Sequence, residues 1–178
     1  METTERVVEA YVRYVKGWAT IPNIRCAGQN EIDLLAIDPV TLERYHIEVS
    51  VHITGGFSRL TNKVFDPVLV RERVQKPKQR RTLGFFIERK FEPVGVRKAL
   101  ERYGFETGHY RRIIVTWGWT DDVGPEAQAR GIELWDFRTV LAEIAAHCEH
   151  KSHYFTDDTL RTLQLFALGA KQNGGIGQ

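Results

Sequence analysis

The sequence predicts a single α/β domain in which a central mixed sheet is flanked by helices. Three observations carry that expectation: an amphipathic helix opens the chain, a β-hairpin follows it, and the second half reads strand, helix, strand, helix. At 178 residues the chain is long enough to bury one core without disulfide or metal support. The expected layout is an α/β domain over residues 1–150, a helix over 151–171 that packs on the core or joins two copies, and a disordered, glycine-rich tail over 172–178.

The opening helix is read from Val7, Val8, Tyr11, Val12 and Val15, which recur at helical spacing between Thr4 and Lys16. Thr3 or Thr4 is placed to cap it and Gly17 to end it. Trp18 to Arg25 reads as a short extended segment, with Pro22 marking an edge or a bend. Two apolar runs, Ile32 to Ile37 and Tyr45 to Val51, then flank the turn-forming Asp38-Pro39-Val40-Thr41 and make a hairpin. Strand side chains alternate, so His46, Glu48, Ser50 and His52 share one face while Tyr45, Ile47, Val49 and Val51 share the other.

After the hairpin, Gly55-Gly56 breaks the strand. The stretch from Arg71 to Arg81, interrupted by Pro77, reads as a basic loop. Leu83 to Ile87 fits either a short strand or the end of a helix. Pro93 to Tyr103 reads as a helix with Arg97, Lys98 and Arg102 on its wet side. Arg112 to Trp117 is a continuous apolar run suited to a buried strand, and Thr120 to Ala129 is a helix stopped by Gly131. Ile132 to Trp135 is a second such strand, and Asp136 caps a helix to about Cys148. This alternation implies parallel pairing. A last helix runs from Thr156 to Ala170, with Leu160, Leu163, Phe166 and Ala167 on one stripe.

Composition narrows the function classes. No apolar run approaches the roughly 18 residues that span a bilayer, and the charged N-terminus carries no secretory h-region, so a cytoplasmic protein without membrane contact is expected. Cys26 and Cys148 are the only cysteines. They lack metal-site spacing and are read as free thiols. The overall charge of +2 is unevenly spread: between Arg59 and Arg112 there are fifteen Lys or Arg against six Asp or Glu, an excess of nine that leaves the remainder at −7. Such a segment is either a solvated face or a surface for a polyanion.

The hairpin carries one carboxylate on each strand, Asp33 and Glu48. Two acids on neighbouring strands repel each other, and the usual relief is a bound divalent cation or a shared proton. Glu9 lies near the apolar stripe of the opening helix, where it is either a third member of this set or an ordinary solvent-facing residue.

Glu9 on the first helix, Glu31-Ile32-Asp33 and Glu48-Val49-Ser50 on the hairpin, and the later RIIVTWGWTDDVGPEAQARGIELWDF follow one another in a telling order. Over roughly residues 5–148 the chain resembles the PD-(D/E)XK nuclease superfamily, closest to its Mrr-like restriction endonuclease and Holliday-junction-resolvase-like branches. The resemblance implies a restriction-endonuclease-like fold and metal-dependent hydrolysis of phosphodiesters in DNA, expected to be double-stranded, with two copies able to pair. It further implies that Asp33 and Glu48, helped by Glu9 and the Val49 carbonyl, hold Mg²⁺ or Mn²⁺. The basic side chains Arg71, Arg73, Lys76, Lys78, Arg80 and Arg81 would contact phosphates.

The chain departs from the family pattern at Ser50, where a lysine is usual. A hydroxyl supplies no positive charge to the developing phosphate charge. Lys63, Lys16 or His52 are the candidates to take over, His52 as proton acceptor or metal ligand, although His52 and His46 equally suit plain strand positions. The alternative reading is a catalytically impaired, nuclease-like module that binds DNA or assembles with a partner. In an unrelated α/β protein, Asp33 and Glu48 would simply face solvent.

Overall fold

The computed structural model describes residues 2–51, 59–63, 65, 81–149 and 154–174, with side chains to residue 170. Five strands form one mixed sheet in the order β1-β2-β3-β4-β5: β1 (Ala19–Cys26), β2 (Asn30–Ile37), β3 (Arg44–Ser50), β4 (Arg111–Thr116) and β5 (Ile132–Asp136). The first three strands are joined antiparallel, whereas β3 to β4 and β4 to β5 are parallel. Six helices among the described residues cover the sheet. They are α1 (Thr3–Ala10), continued as π-helix over Tyr11–Val15; α2 (Leu83–Phe85), continued as π-helix over Phe86–Phe91; α3 (Val94–Arg102); α4 (Val123–Ala129); α5 (Phe137–Glu149); and α6 (Asp158–Gly174). The expected α/β class with a central mixed sheet is therefore what the chain forms.

Apolar patterning decides which layer each helix joins. Val8 of α1, Val12 of its π-helical continuation, Val140 and Ile144 of α5 and Leu160 of α6 pack on Leu34, Ile47, Ile113 and Val115, making the core on one face of the sheet. On the opposite face, Leu83, Phe86 and Phe91 of α2 and its continuation meet Ile114 and the buried Val123 and Ala127 of α4. Val96 and Leu100 of α3 meet Ile32 and Leu35. β4 is buried on both sides, which explains its uninterrupted apolar run.

The hairpin turn closes where Asp38 was expected to close it. Its Oδ1 accepts from Val40 N at 2.8 Å, an Asx-type turn, and Leu42 takes a positive φ of 61°. Pro22 lies on β1, an edge strand, where a missing N–H is tolerated. At Gly95 the backbone of α3 comes so close to the β1–β2 turn that a β-carbon would overlap the Ala27 carbonyl.

Several details differ from the sequence expectation. The opening helix is capped one residue earlier than Thr3, at Glu2, whose N–H donates to Glu5 Oε2 at 2.8 Å. Leu83 to Ile87 is helical, because its apolar residues serve one helix face. Val94 and Tyr103 point to solvent, since α3 buries only the Val96 and Leu100 stripe. On α6, Leu160 and Gln164 are buried with Leu163 and Ala167 half-buried beside them, whereas Phe166 is 73% exposed, because it lies off that stripe. That helix continues past Gln172 to Gly174. Cys26 and Cys148 are free thiols. No helix among the described residues is long and apolar enough to cross a membrane.

Candidate active site

Asp33 and Glu48 occupy the point where β2 and β3 part. The antiparallel register links Leu34 to Ile47 and ends there, leaving the next pair of side chains free of ladder bonds. Val49 N instead donates to Asp33 Oδ2 at 2.8 Å, so a carboxylate takes over where the backbone ladder stops. Both acids are buried, Glu48 completely.

The group that brings them together is Lys90. Its Nζ lies 2.9 Å from Asp33 Oδ1 and 2.6 Å from Glu48 Oε2. The lysine arrives from the last π-helical turn after α2, on the side of the sheet opposite α1, α5 and α6. A quarter of its side chain remains exposed, so the cluster reaches solvent through Lys90. π-helical turns recur at functional sites because the extra residue re-aims a side chain.

Electrostatics inside the cluster are strongly perturbed. Burial first, and the charge of Glu48 second, push Asp33 up to about 7 against the pull of Lys90 and the Val49 N–H. Burial likewise raises Glu48, with Lys90 opposing it. Burial alone would discharge Lys90, yet the two carboxylates outweigh it and keep the ammonium charged well beyond its ordinary range. His46, fully buried beside Glu48, is pushed down to about 3 by desolvation and is neutral. Its Nε2 lies 2.8 Å from Glu48 Oε1.

The opening helix contributes near the site through Glu5. Its carboxyl is held above its usual range by burial, with Asp33 adding repulsion. Glu9, one turn further on, accepts from Thr20 Oγ1 of β1 at 3.3 Å and lines a separate cleft with Arg6, Arg13 and Asp157.

The remaining sequence candidates fall in other places. Ser50 is half-buried at the end of β3, opposite Thr116. Lys63 is exposed and lines a cleft of about 330 Å³ with Asn62, Gly84 and Glu88. Lys16 pairs with Glu143 at 3.4 Å. His52 lies outside the described residues, as do Arg71, Arg73, Lys76, Lys78 and Arg80. Arg81 is buried, with its carbonyl accepting from Thr61 N at 3.0 Å, which removes it from any exposed phosphate-binding row.

Lys90 escaped the sequence reading, although a signal for it existed. If residues 83–91 are read as a helix, positions 83, 86, 87, 90 and 91 form one stripe, and Lys90 is the single charge among Leu83, Phe86, Ile87 and Phe91. A lysine in the core stripe of a helix calls for a buried acidic partner.

Among the described residues no group of three or more His, Cys, Asp or Glu is arranged to hold a metal ion. The donor chemistry still fits Mg²⁺, which is commonly held by one or two carboxylates and completes its shell with water and substrate phosphate. Each carboxylate oxygen in the cluster lies within 3 Å of a protein nitrogen, and Glu48 Oε2, buried and held only by the Lys90 ion pair, makes no hydrogen bond among the described residues.

No family model matches the chain, and no curated protein matches it. Among solved structures it is similar to AF1548, described as a protein of unknown function, with 14% sequence identity over 96% of this chain and 92% of that chain and a TM-score of 0.43.

Proposed function

We propose that the chain is a metal-dependent endonuclease acting on DNA, of the PD-(D/E)XK kind, in which Lys90 takes the part that Ser50 leaves vacant. The observation that supports this most is the placement of one ammonium within 3 Å of both hairpin carboxylates. The three groups come from two strands and a helix and share one solvent-reaching cluster.

In this reading Asp33 and Glu48, with the Val49 carbonyl, would hold Mg²⁺ or Mn²⁺. The bound ion would supply a water of lowered pKa and offset charge on the phosphate. Glu5, rather than Glu9, is the helix acid closest in electrostatic terms. Lys90 would stabilise negative charge as it develops on the phosphoryl oxygens, and its attachment to a separate helix lets it do so without occupying the strand. The Val49 N–H keeps Asp33 oriented throughout. The basic stretch containing Arg71, Arg73, Lys76, Lys78 and Arg80 would hold the DNA backbone. A cytoplasmic setting, in which free thiols persist, belongs to the same proposal, as does pairing of two copies, which light scattering tests.

Purified protein incubated with plasmid and branched DNA in Mg²⁺ or Mn²⁺ should nick or cut it, and Asp33→Ala and Glu48→Ala should each abolish that activity. Cleavage that survives both substitutions, or no cleavage at all, would sink the proposal.

One observation favours a second reading. Every carboxylate oxygen of Asp33 and Glu48 already has a protein nitrogen within 3 Å, and Lys90 offsets one of the two charges while a proton on Asp33 relieves the other, without any metal. The cluster would then be a buried structural ion pair in a module that binds DNA without cutting it. Salt-sensitive DNA binding that survives Glu48→Ala, with no cleavage in either metal, marks that case.

A further inference from the structure

We propose that His46 is a positioning residue, which donates from its Nε2–H to one oxygen of Glu48 and thereby leaves the other oxygen facing Lys90; this rests on the nuclease reading above. His46 and Glu48 stand two residues apart on one face of β3, so their side chains are neighbours by strand geometry. Both are completely buried, and Nε2 lies 2.8 Å from Glu48 Oε1. With the Lys90 ammonium 2.6 Å away holding Glu48 ionised, the carboxylate can only accept, so in this proposal Nε2 carries the proton and Nδ1 is the bare nitrogen. Nδ1 meets no donor among the described residues, which leaves the bond to Glu48 as the ring's one polar tie there.

The ring is also fixed from above. Phe91 meets it edge-to-face, with centroids 4.8 Å apart and planes at 82°. Phe91 directly follows Lys90, and the Arg112 guanidinium lies over the Phe91 ring, 5.6 Å from its centroid. One imidazole thus touches the strand that carries Glu48 and the helix that carries Lys90. The carboxylate of Glu48 is gripped at Oε1 by His46 and at Oε2 by Lys90, 2.6 Å away. Removing the donor frees the carboxylate to rotate and leaves Oε1 buried without a partner, which is costly.

The test compares His46→Phe, which keeps a ring against Phe91 and removes the donor, with His46→Gln, which retains an N–H donor. The readouts are Mn²⁺ affinity of the chain alone, kcat and KM for DNA cleavage in Mg²⁺, and the histidine ¹⁵N spectrum of the unsubstituted protein. Outer partners of metal ligands change affinity or activity by about 10–100-fold. His46→Phe is expected to lose that much in Mn²⁺ affinity and kcat with KM little changed, and His46→Gln to recover part of it. A folded His46→Phe protein with unchanged Mn²⁺ affinity and kcat overturns the inference while leaving the nuclease reading standing. Failure of the unsubstituted protein to bind Mn²⁺ and to cut DNA removes the nuclease reading, and the positioning role falls with it. The spectrum decides the hydrogen bond even where His46→Phe does not fold: a neutral ring protonated at Nε2 supports it, and a ring protonated at Nδ1 overturns it.

Discussion

Lys90 places its ammonium 2.6 Å from Glu48 and 2.9 Å from Asp33, a residue 57 positions earlier in the chain. The strand position expected to carry that charge holds Ser50, at the end of β3. A charge is thus supplied to the hairpin acids from a helix packed on the sheet. The arrangement is a buried, nearly self-compensating cluster, costly to assemble and informative for that reason.

The first prediction concerns pH. Asp33 sits at about 7 in the folded chain against 3.8 for an unperturbed aspartate. Between those values the folded state holds a proton that the unfolded chain has released, so stability is fully present below about 4 and is lost as pH rises through 7. The slope from this one group is at most about 1.4 kcal/mol per pH unit. Asp33→Asn should flatten the fall and be more stable than the unsubstituted chain at pH 8, while the difference closes towards pH 4. Urea midpoints at pH 5 and pH 8 measure it, and parallel curves for the two proteins would show that Asp33 is not the titrating group.

A second prediction addresses packing. Gly95→Ala puts a β-carbon into the Ala27 carbonyl, and backbone on both sides leaves little to give way. Destabilisation of about 1–3 kcal/mol is expected from such overpacking. The site should be spared, because α3 packs on Ile32 and Leu35 and makes no polar contact to Lys90. Equal urea midpoints for the alanine variant would refute the close approach.

DNA binding supplies a third. Replacing Arg71, Arg73, Lys76 and Lys78 together by alanine should weaken binding to all sequences alike and reduce the dependence of affinity on salt. Fluorescence anisotropy across 50–200 mM salt, on two unrelated duplexes, reads both effects. Unchanged affinity would assign the basic stretch to a solvated surface.

The sheet was legible in the sequence because its signals are local. The apolar run of β2, the apolar–polar alternation of β3, the Asp38-Pro39 turn and the unbroken apolar run of β4 each report their own environment. Asp33 and Glu48 were legible as a pair for the same reason. Lys90 was not, since Leu83 to Ile87 is too short to separate helical from strand periodicity and the partner acids lie far away in sequence. Glu5 and Glu9 are one helical turn apart on the same face, and periodicity alone cannot say which end of α1 lies over the strand break. Phe166 shows the complementary limit: as an apolar residue it reads into the Leu160 stripe, but six residues on from Leu160 it stands about a third of a turn away, and the packed stripe runs through Leu163, Gln164 and Ala167 instead.

The fourth prediction follows from the lysine's change of address. Ser50 lies on the same strand face as Glu48, so a lysine introduced there should reach the acids from the strand. Ser50→Lys combined with Lys90→Ala is expected to recover part of the activity that Lys90→Ala loses. Recovery no greater than that of Lys90→Ala alone would show that the helical origin of the charge is essential.

Mg²⁺-dependent cleavage of supercoiled plasmid by the unsubstituted chain and by Lys90→Ala tests the central claim most directly. Loss of one electrostatic stabiliser of the reacting phosphate should lower the cleavage rate by about 10²–10³-fold while the protein stays folded and still binds DNA. A Lys90→Ala protein that cuts at the unsubstituted rate would contradict the assignment of Lys90 as the catalytic lysine.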